Sequence, residues 1–297
     1  MKINIVDNGK KWLGIATIVV SIALCGLLFK GLNYGIDFTG GNLYQVNFEE
    51  EVGLQSINAF LDEVALDYPQ LTSNSRRVQV SEGGVVIIRT PEMSEDDKNA
   101  FLDRLETFGS YELQRSDKVG ATVGEELKTS AIFALLIGGA LIVLYITLRF
   151  EFKFALAAIV ALLHDIIISV GAIALLGYEV NTPFIAAVLT ILGYSINDTI
   201  VVFDRIRETI RKKNSGTLGD CINKSVNQVM TRSINTSVTT FLAVVVILIF
   251  GGTSLQTFIT TLLFGVVAGT YSSIFVASPM VYLLEKGKKT EVVEHLQ

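Results

Sequence analysis

An aspartate, Asp198, lies inside a segment that otherwise has the composition of a membrane-spanning helix. Placing a carboxylate in hydrocarbon costs about 2.5 kcal/mol or more even on the most permissive insertion scale. A residue kept at that cost is expected to have a use, and binding a cation or carrying a proton are the chemistries open to it. Polar side chains within one turn are candidate supporting groups: Tyr194, Ser195, Asn197 and Thr199.

An arginine, Arg232, begins the next apolar segment and is the candidate partner of Asp198. Asp198 precedes Arg205, at the end of its own segment, by about 10 Å of helix. Arg232 enters from the same side of the membrane, so its long side chain can reach the level of Asp198. Two interpretations stay open: a carboxyl group whose protonation changes as the arginine approaches, and a static pair that holds two helices together.

A second polar pair, His164 and Asp165, falls near the middle of another apolar segment. For this pair a structural role, bonding neighbouring helices, and a functional role are both open. The two cysteines, Cys25 and Cys221, are far apart in depth and too few for a metal site. We therefore expect no metal and no cofactor.

Six predicted membrane spans position these residues. Half of the 297 residues are hydrophobic, which is too apolar for a soluble domain. Each segment is long enough to cross a hydrocarbon core of about 30 Å. No small-residue cleavage site follows the first one, so we expect a retained helix rather than a signal peptide. The spans are residues 12–29, 130–148, 154–176, 183–203, 236–252 and 257–284.

Basic residues predict the orientation of these spans. They precede the first span, lie between the second and third and before the fifth, and follow the sixth, and all of these places fall on one side of the membrane. By the positive-inside rule that side is cytoplasmic, with both termini. The residues are Lys2, Lys10, Lys11, Arg149, Lys153, Arg205, Arg207, Arg211, Lys212, Lys213, Lys224, Arg232, Lys286, Lys288 and Lys289.

The chain therefore divides into four predicted parts. Residues 1–29 are a cytoplasmic N-terminus with the first span, and 30–129 form an extracytoplasmic domain. Residues 130–284 are the remaining spans, with a cytoplasmic loop at 204–233, and 285–297 are a cytoplasmic tail. The outer domain holds nine basic and eighteen acidic residues, a net charge of −9. Nothing here suggests nucleic-acid binding.

Hydrophobic periodicity in the outer domain predicts the order βαββαβ, that of a small ferredoxin-like fold. Ser56 is the predicted cap of the first helix, Glu82-Gly83-Gly84 a hairpin turn, and Ser94 the start of a capping box. The domain has no His, no Cys and no Ser beside a base. It is therefore expected to dock partners or handle substrate, and the chain is not expected to be an enzyme.

Two glycine patterns predict structure rather than chemistry. Residues 35–41, with Gly35, Asp37, Phe38, Gly40 and Gly41, form a predicted tight turn at the outer end of the first span. A phosphate cradle would need such glycines to open a helix after a strand, and these open a strand after a helix. The sixth span has small residues at four-residue spacing that let another helix approach: Gly265, Gly269, Ser273 and Ala277.

Several segments together resemble the SecF family, the smaller half of the SecD–SecF accessory complex of bacterial protein export. The resemblance covers almost the whole chain, and the motif around Asp198 is its most specific part. The segments are Gly35-Ile-Asp-Phe-Thr-Gly-Gly41, Val119-Gly-Ala-Thr-Val-Gly-Glu-Glu126, Leu163-His-Asp165, Gly193-Tyr-Ser-Ile-Asn-Asp-Thr-Ile-Val-Val-Phe-Asp-Arg-Ile-Arg-Glu208 and Thr231-Arg-Ser-Ile-Asn-Thr-Ser237.

The resemblance implies half of an RND-type transporter: a polytopic α-helical membrane protein of six spans with a small α+β ferredoxin-like extracytoplasmic domain. It implies the bacterial inner membrane, a SecD-like partner, the SecYEG channel, often YajC, and unfolded preproteins as substrates. The proton-motive force would promote export after the ATPase SecA has acted. It also implies proton transport by Asp198 and Arg232, and leaves the role of His164 and Asp165 open. The chain alone is expected to be inactive.

Three alternative functions are compatible with parts of this sequence. A drug exporter half of the RND class would use the same membrane chemistry, but about a hundred outer residues are too few for its substrate region. An intramembrane aspartyl protease needs two facing aspartates, one of them in a Gly-x-Gly-Asp sequence, and that sequence does not occur. A purely structural scaffold of the export machinery, without a proton role, stays open.

Overall fold

The computed structural model describes residues 3–212 and 216–285. Five of the basic residues used to predict the orientation lie outside these residues, as does all but the first residue of the predicted tail at 285–297. The five are Lys2, Lys213, Lys286, Lys288 and Lys289.

The described chain contains ten α-helices and six strands. The helices are Gly9–Phe29 (α1), Ile36–Thr39 (α2), Leu54–Val64 (α3), Glu95–Phe108 (α4), Ala121–Arg149 (α5), Phe152–Leu176 (α6), Thr182–Ile210 (α7), Leu218–Phe250 (α8), Gln256–Ser272 (α9) and Ser278–Glu285 (α10). The strands are Asn33–Tyr34 (β1), Gly41–Phe48 (β2), Arg77–Val80 (β3), Val85–Thr90 (β4), Tyr111–Val119 (β5) and Glu179–Val180 (β6).

The chain forms two compact units. Residues 34–132 form one, which we call the sheet unit, and the rest of the described chain forms the other, the membrane unit. Six helices are long and apolar enough to cross a membrane: α1, α5, α6, α7, α8 and the continuous segment Gln256–Glu285. That last segment joins α9 to α10 through a π-helical turn, Ser273–Ala277. The six predicted spans are therefore confirmed, but nothing in the sequence analysis anticipated the π-helical turn.

Most of the segment predicted as a cytoplasmic loop, 204–233, is helical, because both flanking helices continue into it. α7 continues to Ile210, and i,i+3 and i,i+4 ion pairs on Glu208 support its last turns. α8 begins at Leu218 behind a capping box, in which Thr217 Oγ1 accepts from the Asp220 amide at 3.2 Å and Asp220 Oδ2 from the Thr217 amide at 3.0 Å. Helix extension past a membrane surface leaves no hydropathy signal, which is why the prediction stopped early.

The membrane unit is built from helices that approach closely at small residues. α6 packs against α1 and α9, and α7 packs against α8 and α9. At the α1–α6 contact, a Cβ added to Gly171 would lie 2.6 Å from Ala23 Cβ. Phe203 of α7 packs edge-on against Phe154 of α6, with ring centroids 5.1 Å apart. Close backbone approach of this kind is how helices gain dispersion contacts where lipid offers no hydrophobic driving force.

The sheet unit has the predicted βαββαβ order. Its four strands pair antiparallel in the spatial order β3-β4-β2-β5, with a bulge between Gln45 and Val46. This is the ferredoxin-like arrangement, in which α3 and α4 are the crossover helices. The core contains Tyr44, Val46, Phe48, Ile57, Leu61, Val64, Val86, Ile88, Phe101 and Leu105.

One of the two predicted helix caps in the sheet unit is wrong. α3 begins at Leu54, and its N-cap is Gly53 in an extended conformation, so Ser56 is the third helical residue and not the cap. Ser94 does cap α4, where its hydroxyl accepts from the Asp97 amide at 3.1 Å. A serine three residues into a helix leaves the same composition signal as a serine at its start, and only the backbone conformation separates the two cases.

Candidate functional site in the membrane unit

Asp198 is half-buried on α7, facing α8. Its Oδ1 accepts a hydrogen bond from Ser233 Oγ of α8 at 2.8 Å. Its Oδ2 is buried and has no hydrogen-bond partner among residues 3–212 and 216–285. Buried polar atoms are paired in the great majority of cases, so an unpaired carboxylate oxygen inside a membrane span marks a place where a proton or a water molecule binds.

Arg232 lies beside this carboxylate without forming an ion pair with it in the described structure. The arginine is exposed on α8, and the next residue, Ser233, contacts Asp198 instead. Successive residues on a helix point about 100° apart, so only one of the two can face α7. The predicted charge pair is therefore absent from the described structure, and the reach of Arg232 to the level of Asp198 stays a prediction.

The other polar residues near Asp198 contact two different helices. Tyr194 donates to Thr240 Oγ1 of α8 at 3.2 Å. Thr199 is buried and shares a hydrogen bond of 3.0 Å with the hydroxyl of Ser273 in the π-helical turn. Asn197 is exposed. One face of α7, with Asp198 and Tyr194, therefore forms hydrogen bonds with α8, while another face, with Thr199, forms a hydrogen bond with the last span.

His164 and Asp165 form a buried dyad on α6 that joins three helices. His164 Nδ1 is 2.8 Å from Asp165 Oδ1. Asp165 Oδ2 accepts from Ser195 Oγ of α7 at 2.5 Å and from Ser272 Oγ of α9 at 2.7 Å. Asp165 has no exposed surface, so this carboxyl group is the polar centre of the α6–α7–α9 contact.

The small-residue stripe of the last span faces α7 of the same chain. A Cβ added to Gly265 would overlap the Ile191 side chain, and one added to Gly269 would lie 3.1 Å from Ser195 Cβ. Ser273 donates to the Gly269 carbonyl at 2.8 Å and bonds Thr199, so it carries polar contacts that the packing hypothesis did not include. Ala277 is fully buried.

Ser233 and Ser272 are the functional candidates that the sequence analysis missed. Each is one of several hydroxyl residues in its helix, and serine is common in such helices because it can bond its own backbone. Ser233 stands beside Arg232, and Ser272 beside Ser273 of the small-residue stripe. That adjacency is the signal that could have found them, but the rotation of each helix decides which neighbour faces inward.

The residue 35–41 turn has a structural role in the sheet unit. It contains the short helix α2, followed by Gly40 and Gly41 with φ of 69° and 115°. A Cβ on Gly40 would lie 2.9 Å from Ala121 Cα, and one on Gly124 would lie 2.9 Å from Gly40 N. Phe38 is buried, and Asp37 lies in the first turn of α2 after the extended Gly35. The glycines thus allow two backbone segments, 35–41 and 119–126, to touch.

The fold and the site together define a multi-pass helical membrane protein that carries a ferredoxin-like unit and, within its spans, one buried and one half-buried carboxyl group. Among the described residues, no group of three or more His, Cys, Asp or Glu side chains could hold a metal ion. Carboxyl and imidazole groups are side chains that can bind and release a proton within a membrane span.

Comparison with known proteins identifies the family. Residues 100–287 match the family described as protein export membrane protein SecD/SecF, C-terminal, and residues 26–52 match the SecD/SecF GG motif. The chain is 51% identical over 276 residues to protein translocase subunit SecF of Sebaldella termitidis, covering 92% of this chain and 89% of that one. It is 36% identical to SecF of Calditerrivibrio nitroreducens, covering 97% and 95%.

A solved structure has the same fold. The crystal structure of SecDF, a translocon-associated membrane protein from Thermus thermophilus, matches with a TM-score of 0.87 and 33% identity. The match covers 96% of this chain but only 39% of the SecDF chain. A SecDF structure in a super-membrane-facing form matches with a TM-score of 0.69. The chain belongs to the SecD/SecF family of protein export membrane proteins, and within that family it is similar to the SecF subunits.

Proposed function

We propose that the chain acts as the SecF subunit of a protein translocase in the bacterial inner membrane, where it couples proton movement to preprotein export. It would work with a SecD-like subunit beside the SecYEG channel, with YajC as a further possible partner. Asp198 would bind and release the proton, and Arg232 would stabilise the ionised carboxylate when it approaches. Family membership supports the export role, and the geometry of Asp198 supports the proton role.

The unpaired Asp198 Oδ2 carries this proposal. A proton bound there neutralises the carboxyl group while the Ser233 bond to Oδ1 is kept. When that proton leaves, a negative charge appears in the span, and this charge would attract the Arg232 guanidinium. One proton crossing 100 mV yields about 2.3 kcal/mol. That energy biases a two-state movement about 50-fold, which is enough to drive a conformational cycle.

The test is gradient-driven export with Asp198→Asn. The variant is reconstituted with its SecD-like partner and the translocase in vesicles, and export is measured with and without a proton gradient. The control is Asp204→Asn on the same helix, because Asp204 is half-exposed and paired with Arg149 at 3.0 Å. We expect Asp198→Asn to lose the gradient-dependent part of export, and Asp204→Asn to keep it.

An Asp198→Asn protein that responds to the gradient at the normal rate would defeat the coupling proposal. The structural-scaffold function would then account for the chain, since export would need its presence and not its carboxyl group. Transport of a small molecule by the reconstituted pair, without any effect on preproteins, would instead favour the exporter alternative.

We further propose that the chain catalyses no covalent reaction. Ser195, His164 and Asp165 have the residue types of a hydrolytic triad, but Ser195 donates to the carboxylate and not to the imidazole. A serine hydroxyl in that arrangement is not activated for attack.

A SecD-like partner is supported by the polar surface of α8. Arg232, Asn235 and Thr236 are exposed there, inside one of the six candidate spans. Charged and amide side chains on a span are costly to expose to lipid, so a protein or water-filled surface is expected to cover this face. The SecDF relative, of whose chain this protein matches 38%, has the length for such a partner.

The orientation is proposed from charge. The basic residues of the described helix ends, among them Lys10, Arg149 and Arg205, support a cytoplasmic location for both termini. The sheet unit, with its net negative charge, would then be extracytoplasmic. Labelling of single cysteines with a membrane-impermeant reagent in right-side-out vesicles tests this orientation. Positions 58 and 104 lie in the sheet unit, and labelling there only after lysis would show the opposite orientation.

A further inference from the structure

The buried histidine of α6, His164, has one ring nitrogen without a hydrogen-bond partner among the described residues. His164 is 6% exposed, and its Nε2 has no hydrogen-bond partner among residues 3–212 and 216–285. Its Nδ1 lies 2.8 Å from Asp165 Oδ1. An unpaired buried nitrogen in a membrane span needs an explanation, and a bound proton with a water molecule is the simplest.

The hydrogen bonds of Asp165 determine which nitrogen is free to take a proton. Oδ2 already accepts from Ser195 and Ser272, and an ionised carboxylate is an acceptor only. When Asp165 is ionised, Nδ1 of His164 is therefore the donor to Oδ1. The neutral imidazole is left with a lone pair at Nε2, which is where a second proton binds. The resulting imidazolium lies directly against the carboxylate that compensates its charge.

The aromatic surroundings of the dyad add no competing charge. The Tyr271 ring stacks on His164 with centroids 6.1 Å apart, and its hydroxyl donates to the Trp12 carbonyl of α1 at 2.8 Å. Trp12 Nε1 is likewise buried without a described partner. Two unpaired buried nitrogens on residues that both contact Tyr271 are what an internal water molecule satisfies.

The other charged groups on the packed helices are already occupied or face elsewhere. Lys153 of α6 pairs with Glu285 of α10 at 2.7 Å, about 16 Å along the helix from His164. Asp198 of α7 faces Ser233 of α8. α7 and α9 present hydroxyl groups to the dyad, and α9 also presents Tyr271. In the described part of the chain, Asp165 is the one charged group that pairs with His164.

We propose that the His164–Asp165 dyad is a second proton-binding site of the membrane unit, separate from Asp198, with the proton held at His164 Nε2. The step transfers one proton from water to Nε2 and breaks no bond between heavy atoms. The proposal rests on the proposed proton-driven function and extends it to a second group.

The placement of the dyad gives the bound proton an effect on the helices. Ser195 lies three residues before Asp198 on α7, and Ser272 directly precedes the π-helical turn of the last span. A change of charge on the dyad alters the hydrogen bonds that hold both helices to α6. Single π-helical turns occur frequently at functional sites, where they let a helix shift by a residue.

Nitrogen NMR of the histidine ring tests the proposal directly. The chain has two histidines, His164 and His295, and His295 lies outside the described residues. The His295→Gln chain, labelled with ¹⁵N-histidine and held with its SecD-like partner in lipid nanodiscs, reports on one ring. We expect a proton on Nδ1 alone in alkaline solution, and a second proton on Nε2 after acidification.

Asp165→Asn in the same background supplies the second measurement. Removing the adjacent negative charge is expected to change the midpoint of the Nε2 titration by about one pH unit or more. A Nε2 that never takes up a proton, one that carries a proton throughout, or a midpoint that Asp165→Asn leaves unchanged would each overturn the proposal.

Export measurements separate this proposal from the coupling role of Asp198. His164→Gln is expected to flatten the pH dependence of gradient-driven export, because the ring no longer exchanges a proton, whereas a purely structural dyad would lower the rate equally at every pH. The NMR titration does not depend on export. His164 can therefore fail to titrate while Asp198→Asn abolishes coupling, and the reverse outcome is equally visible.

Discussion

Replacing Gly265 with alanine is expected to separate α9 from α7. A Cβ at this position would overlap the side chain of Ile191, which is 2% exposed and so cannot move into lipid. Ile191 is β-branched and holds one χ1 rotamer strongly in a helix, which leaves little room for local relaxation. The backbones of the two helices must move apart instead.

The cost follows from the contact geometry. Overpacking a filled core by one methyl group costs about 1–3 kcal/mol. For a chain of this size each kcal/mol lowers the midpoint of thermal unfolding by about 2–4 °C, so a fall of about 2–12 °C is expected. The same separation lengthens the Thr199–Ser273 hydrogen bond between α7 and the last span. Gradient-driven export should therefore fall as well.

The control is Gly193→Ala on α7, where an added Cβ meets nothing within 4 Å. There the alanine gains up to about 1 kcal/mol of helix propensity and meets no clash. Thermal unfolding of the two variants in the same detergent, with export measured in vesicles, compares a clash with a free methyl group. Equal unfolding temperatures for Gly265→Ala and Gly193→Ala would refute the packing argument.

Two further predictions concern the sheet unit and the partner surface. Burial, which outweighs a hydrogen bond from Asn42, raises the pKa of Tyr44 above its ordinary value of 10.0, so above about pH 10 the unfolded chain loses a proton that the folded unit keeps. Stability measured by urea unfolding should then be complete below pH 10 and decline above it, and Tyr44→Phe should reduce that decline; an identical decline in both proteins would contradict the assignment. On α8, Asn235→Cys should form oxidative crosslinks with a SecD-like chain, whereas Ser237→Cys, buried against Thr270, should not. Equal crosslinking at both positions would argue against the proposed interface.

The candidate site was only partly predictable from the sequence. Asp198 stands out because one carboxylate interrupts an apolar run, and that signal needs no structure. Its hydrogen-bond partner does not stand out, because Arg232 and Ser233 are adjacent and the rotation of α8 decides which one faces α7. The proton role of Asp198 stays a prediction that the export experiment tests.

The dyad shows the same division. His164 and Asp165 were visible as polar residues in a span, with structural and functional roles equally open. The three helices that meet at Asp165, and the unpaired Nε2, appear only when α6, α7 and α9 are packed. The π-helical turn after Ser272 has no composition signal, because its residues are ordinary span residues.

The sequence by itself determined the six spans, the βαββαβ order, the family and the intramembrane carboxylate. These follow from local composition and periodicity, since crossing a bilayer or pairing strands requires a pattern that is written along the chain. Only the tertiary structure decided that Asp198 bonds Ser233 rather than Arg232. It also decided that both carboxyl oxygens of Asp165 have hydrogen-bond partners, whereas Nε2 of His164 has none among the described residues. Those outcomes depend on how each helix is rotated against its neighbours, which is determined by the summed packing of many small residues and by no single position.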